Sequence, residues 1–146
     1  MTPDDATIAA WVALATTSRE LLERAERALK SEGHPPLAWY DALLAVEKAG
    51  PGGIRPVALK DRLLLPQYGT SRLLDRMVRA GLLERRPCPG DARGQVIVPT
   101  AAGRAQRAAM WPAYARFLAA EIGERLDPGE AAELARLLDK LRGAAG

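Results

Sequence analysis

QYGTSRLLDRMVRAGLLERRPCPGDARGQVIVPTAAGR, residues 67–104, is the stretch from which the fold of this chain can be read. Leu73, Leu74, Met77 and Val78 fall on one face of a helix, while Arg72 and Arg76, four apart, share another. Gly81 stands where a left-handed C-cap belongs, so the helix is expected over about 67–80. The period then changes. Residues 82–86 and 95–98 are short strand-like runs, and the connector Pro87-Cys88-Pro89-Gly90-Asp91-Ala92-Arg93-Gly94 predicts a hairpin with an exposed tip. Thr100 suits the cap of a further helix. Charge is concentrated in the same region. Between Arg55 and Arg104 there are ten Lys/Arg against four carboxylates, a local +6, whereas the rest of the chain has eleven against fourteen, or −3. A compact basic segment flanked by mildly acidic helices suits a phosphate backbone better than a small neutral substrate.

The pattern extends outward in both directions. Residues 4–31 read as one long helix, with Ile8, Trp11, Ala15, Leu22, Ala25 and Leu29 on one side and Ser18 interrupting the stripe. At ~1.5 Å per residue such a helix spans roughly 40 Å, more than a small globule needs, so part of its apolar face is expected to meet another chain. Gly33-His34-Pro35-Pro36 stops it. A second helix fits 37–49, with Leu37, Tyr40, Leu43, Leu44 and Val46 inward, before the breaker Gly50-Pro51-Gly52-Gly53. A short helix follows at 56–63, with Pro56 in its first turn. Beyond the hairpin a long helix is expected over 101–125, and Pro112 should bend it or loosen one turn. Asp127, Pro128 and Glu130 form an N-cap, a first helical position and a capping-box acid for a last helix running to about 142. The fold class is therefore mainly α. A winged helix-turn-helix, expected to bind DNA, is read over 35–99, and the N- and C-terminal helices, 1–34 and 100–146, are expected to form a dimerisation region.

Composition narrows the function. The chain of 146 residues, 48% hydrophobic and 27% charged, reads as globular. No apolar run approaches the ~18–20 residues that cross a membrane. The opening MTPDDATIAA has no basic region and is not expected to be a secretory signal, and the lone Cys88 cannot form an internal disulfide, so a cytoplasmic location is expected. With one histidine and one cysteine, no Cys/His metal cluster and no nucleophile-base pair is suggested. Neither a cofactor nor an enzymatic activity is expected.

The middle segment resembles the MarR family of bacterial transcription regulators. The resemblance rests on LLDRMVRAGLLERR (73–86) and GDARGQVIVPTAAG (90–103). Within them stand Gly81-Leu82-Leu83-Glu84-Arg85, the wing motif Asp91-Ala92-Arg93, and Pro99-Thr100-Ala101-Ala102-Gly103 leading into the next helix; DPGEAAELARLLDKL resembles the family's last helix. Pro99 replaces the family's usual leucine, Pro66 stands where a serine often caps the recognition helix, and Pro87 and Pro89 are additional in the hairpin. The resemblance implies a homodimer on double-stranded DNA, a repressor role at a pseudo-palindromic operator, and a cleft for a small aromatic or phenolic effector.

Specific residues follow from that reading. The start of a recognition helix faces base edges. Here it offers Gln67, Tyr68, Thr70, Ser71 and Arg72, with Arg76 one turn on. Arg93 at the wing is expected in a minor groove. Arg86, like Arg85, is read either as a phosphate contact or as support for the wing. Asp91 is expected to orient the wing or Arg93, because a carboxylate beside phosphate is repelled. Trp11, Trp39, Tyr40, Trp111 and Tyr114 are read either as core or as effector-lining. His34 is read either as a loop residue or as a pH- or ligand-responsive one. Cys88 is an ordinary thiol unless the neighbouring Arg85-Arg86 pair activates it. Two rival readings remain at this level: a winged protein–protein module without DNA binding, opposed by the +6 segment, and a small helical enzyme, opposed by the missing acid/base constellation.

Overall fold

The computed structural model describes residues 1–64 and 69–143, the side chain of Ala92 excepted. Among the described residues the chain forms α1 (Asp5–Ser31), α2 (Leu37–Lys48), α3 (Pro56–Arg62), α4 (Thr70–Arg79), β1 (Leu83–Cys88), β2 (Asp91–Pro99), α5 (Ala101–Leu118), a π-turn (Ala119–Gly123) and α6 (Pro128–Leu141). The fold is mainly helical, with one two-stranded antiparallel sheet. No described helix is long and apolar enough to cross a membrane. Two compact units result: residues 29–112, and residues 1–28 together with 113–146.

In the unit 29–112 the apolar periodicity is converted into one core. Leu43, Val46, Leu59, Leu74, Met77, Leu83 and Ile97 bring α2, α3, α4 and both strands together. Leu37 and Tyr40 are also buried on α2, and Leu44 is half-buried. Leu73, Leu74 and Met77 take α4 into this core and leave Ser71, Arg72, Asp75, Arg76 and Arg79 exposed. Gly81 ends α4 at φ 79°, with Leu82 N–H bonded back to the Met77 carbonyl at 3.0 Å, a paired C-cap that a residue with a side chain adopts only under strain. Ile54 exchanges two backbone hydrogen bonds with Ile97, at 3.0 and 2.7 Å, and so adds a one-residue third strand beside β2. The far side of α2 is tied to α5 by a Glu47–Arg107 ion pair of 2.7 Å and by a stack of Tyr40 on Trp111 at 6.3 Å. Burial works against the Arg107 charge, but hydrogen bonds with Tyr40 and Glu47 outweigh it and raise its pKa.

The hairpin differs from the sequence expectation. Residues 87–94 are not a loose connector, because β1 runs on to Cys88 and β2 begins at Asp91. The turn is Pro89-Gly90, with Gly90 at φ 81°, a pair suited to a tight turn. Pairing is regular from Leu83↔Pro99 to Pro87↔Gln95 and then jumps to Cys88↔Asp91, which leaves residues 92–94 as a bulge on β2. Pro87 is tolerated here because among the described residues no strand pairs with the other side of β1, and Pro89 lies in the turn.

The expected helix at 101–125 is α5 followed by the π-turn. Pro112 does not interrupt α5, and the irregularity comes later, at Ala119–Gly123. Pro112 and Ala108, whose carbonyl loses its partner, are both exposed, so solvent can satisfy that carbonyl.

The unit formed by 1–28 and 113–146 is less buried. Asp4 caps α1 through a 2.7 Å bond from Thr7 N–H, and its pKa is lowered by a hydrogen bond with the Thr7 side chain and then by this N–H. Ser18, the break in the apolar stripe, donates to the Ala15 carbonyl of its own helix. Arg24 reaches Glu121 at 3.2 Å and Arg125 reaches the same carboxylate at 3.4 Å. α6 starts on the expected capping box, with Glu130 N–H to Asp127 Oδ1 at 2.8 Å and Asp127 N–H to Glu130 Oε1 at 3.1 Å. Yet α6 buries no residue, and Ile8, Trp11, Val12, Leu134, Leu137 and Leu141 are all exposed.

One close approach controls the seam between α4 and α5. A Cβ on Gly103 would lie 2.0 Å from the Leu82 carbonyl oxygen. Gly103→Ala is therefore expected to destabilise the protein by about 3 kcal/mol or more. A fall in the urea unfolding midpoint measures this; an unchanged midpoint would refute it.

Candidate nucleic-acid interface

In the unit 29–112, α4 and the wing carry exposed positive charge, as do α3 and the start of α5, where Lys60, Arg62 and Arg104 are exposed. On α4, Ser71, Arg72 and Arg76 are exposed, one turn apart where spacing requires it. Thr70 differs from the expectation that it faces outward: its hydroxyl oxygen is buried and has no hydrogen-bond partner among the described residues. Gln67, Tyr68 and Pro66 lie outside the described residues. On β2, Arg93 is exposed within the three-residue bulge, not at the tip, which Pro89 and Gly90 form.

Several other arginines of this unit are held by carboxylates. Arg85 on β1 is bonded to Asp75 on α4, which fastens the wing to the recognition helix. Arg86 is exposed and lies 3.3 Å from Glu84 on its own strand. Arg55 reaches from the start of α3 to Asp91, at 3.3 Å, and to Cys88 Sγ, at 3.2 Å. By contrast, Arg72, Arg76, Arg79 and Arg93 make no ion pair among the described residues. Among the described residues these cations have no carboxylate in ion-pair reach, which leaves them available to a polyanion.

Asp91 organises the wing. Its Oδ1 accepts from Arg93 N–H at 3.0 Å, and its Oδ2 faces Arg55. The bond from Arg93 N–H, followed by the Arg55 charge, holds its carboxyl below the usual aspartate value despite the opposing effect of desolvation. Gly94 permits the arrangement, since a Cβ there would come within 2.9 Å of Asp91 Oδ2. Arg55 was the residue missed from sequence. It lies 36 positions from Asp91, and no local pattern links the two. The arginine at Cys88 is likewise Arg55, not the Arg85-Arg86 pair, which faces Asp75 and Glu84.

The aromatic residues have different surroundings. Trp39 lines an open cleft of about 330 Å³ between the starts of α2 and α4, together with Pro36, Ala38, Arg72, Leu73 and Arg76. Tyr40 is buried under its stack with Trp111 and belongs to the core. His34 is half-buried in the turn after α1, with its N–H bonded to the Leu29 carbonyl at 3.0 Å. Trp11 and Tyr114 belong to the other unit, where Trp11 is 67% exposed and Tyr114 stacks on Phe117 at 6.4 Å.

This architecture matches known proteins. A family model described as MarR family matches residues 35–94. The multiple antibiotic resistance protein MarR of Escherichia coli is 35% identical over 88 residues, which span 60% of this chain and 61% of that protein. A MarR family transcriptional regulator from Streptomyces coelicolor, solved in complex with DNA, superposes with a TM-score of 0.87 at 18% identity, covering 99% of this chain and 90% of that one. A mutant MarR from Escherichia coli complexed with operator DNA gives a TM-score of 0.74 at 28% identity, covering 90% and 95%.

Because the folded-state pKa of Asp91 is depressed, its contacts contribute at neutral pH and are lost as pH falls through that value. A carboxyl-carbon NMR titration is expected to place the Asp91 midpoint below 3.8. In Arg55→Ala the midpoint should rise without reaching that value, since the bond from Arg93 is the larger cause. A midpoint at or above 3.8 in the unaltered chain would rule out the described wing geometry.

Proposed function

We propose that the chain, similar to the MarR family over residues 35–94, is a sequence-specific, double-stranded DNA-binding transcriptional regulator. It acts as a homodimeric repressor on a pseudo-palindromic operator. The observation that carries this reading is the set of exposed arginines without ion-pair partners among the described residues, Arg72 and Arg76 on α4 and Arg93 on the wing. α4 enters the major groove with Ser71 and Arg72 toward base edges, and Arg93 reaches the adjacent minor groove. The exposed apolar residues of α1 and α6 form the dimer contact. Pairing sets two recognition helices on half-sites about 34–36 Å apart, or a multiple of it. A small aromatic effector fits the cleft beside Trp39, where Arg72 and Arg76 supply charge for an acidic group. It releases DNA only if it binds the DNA-free arrangement more tightly than the DNA-bound one.

Three measurements test the reading. Arg72→Ala and Arg93→Ala are each expected to weaken binding to a selected duplex about tenfold or more, with base preference relaxed in the former. Near-normal affinity in both would remove these assignments. Affinity should also fall steeply with salt, by a log–log slope of about −0.9 per phosphate neutralised; a flat profile contradicts the proposal. Finally, sedimentation at micromolar concentration should give a dimer, and Leu137→Glu should give a folded monomer, since Leu137 is 44% exposed in the single chain. A wild-type monomer would end the dimer model.

A further inference from the structure

Arg55 occupies the N-cap position of α3 and makes no side-chain cap there. A guanidinium has only donors, whereas the free N–H groups of a helix start need an acceptor. The residue type is therefore poorly matched to its local position, and its contacts lie elsewhere. The backbone beside it is firmly placed. Ile54 is hydrogen-bonded twice to Ile97 of β2, and Gly53, at φ 77°, packs so closely that a Cβ would sit 2.7 Å from the Ile97 carbonyl oxygen. From this fixed point the side chain reaches the wing, where its Nη2 faces Asp91 Oδ2 at 3.3 Å and Cys88 Sγ at 3.2 Å. The other oxygen of Asp91 holds Arg93 N–H.

We propose that Arg55 is a positioning residue for DNA recognition: through Asp91 it fixes the bulge from which Arg93 leaves the wing, and so sets where that guanidinium meets the groove. The inference rests on the DNA-binding reading above. The ion pair fixes the direction of residues 91–93, which a bulge alone leaves adjustable. Both partners are about half exposed, at 50% and 43%, so solvent screens the pair and its contribution to global stability is small. Its effect is to be sought in binding.

The test is a double-mutant cycle on a duplex selected by the unaltered chain from a random-sequence library. Arg55→Ala and Arg93→Ala are expected to weaken binding about tenfold each, while the double variant falls no more than about twofold below Arg93→Ala alone. Asp91→Asn, which keeps the acceptor for Arg93 N–H, should reproduce the Arg55→Ala loss and add nothing to it. Melting temperatures of Arg55→Ala and the unaltered chain should agree within about 2 °C. Losses that multiply in the double variant would show that Arg55 acts independently of Arg93 and overturn the proposal. So would full affinity in Arg55→Ala, or a large drop in its melting temperature. If the unaltered chain selects no duplex, the DNA-binding reading itself fails, a result distinct from multiplied losses in a chain that binds.

Discussion

The winged unit depends on how closely one helix start can approach a neighbouring carbonyl. α5 begins against the end of α4. Thr100 donates its hydroxyl to the Gly81 carbonyl at 2.6 Å, accepts from Gly103 N–H at 3.0 Å, and gives its own N–H to Leu82 O at 3.2 Å. Gly103 makes this possible because a side chain there would overlap Leu82 O. Through this seam the recognition helix, the first wing strand and α5 share one set of hydrogen bonds. The Thr-x-x-Gly spacing is thus a consequence of packing, and Pro99, which ends β2 opposite Leu83, leaves it intact.

Around that seam the arginines divide by partner. Arg85, Arg86, Arg55 and Arg107 face Asp75, Glu84, Asp91 and Glu47, and they hold wing to helix, wing to α3, and α2 to α5. Among the described residues, Arg72, Arg76 and Arg79 on the outer face of α4 and Arg93 on the wing bulge have no carboxylate in reach, and neither do Arg62 on α3 and Arg104 on α5. Net charge alone does not separate these groups. The separation arises because Arg55, Arg85 and Arg107 lie opposite carboxylates from other elements, and Arg86 beside one on its own strand, while the rest project toward solvent.

The unit of α1, the π-turn and α6 shows the opposite imbalance. Its helices are well made locally, with caps at Asp4 and Asp127 and ion pairs around Glu121. Ile8, Trp11, Val12, Leu134, Leu137 and Leu141 nevertheless remain exposed. Helices of this kind are stabilised chiefly by packing, so the exposed faces supply the reason for a second copy in the proposed function.

The sequence by itself determined what depends on local rules. The helix stops at Gly33 and Gly81, the capping box at Asp127 and Glu130, the apolar faces of α2 and α4, and the order of helices and hairpin were all legible, because caps and periodicities act within a few residues. The exposed positions of Arg72, Arg76 and Arg93 followed from the same patterns. Only the tertiary structure decided the long-range matters: the pairing that carries β1 to Cys88 and puts Arg93 in a bulge, the inward turn of the Thr70 hydroxyl, and the burial of Tyr40 beneath Trp111 while Trp39 lines a cleft. Arg55 and Asp91 meet across 36 residues, and only the backbone bonds between Ile54 and Ile97 bring them within reach. Local sequence fixes which way a side chain can point, but what it meets depends on how distant elements pack.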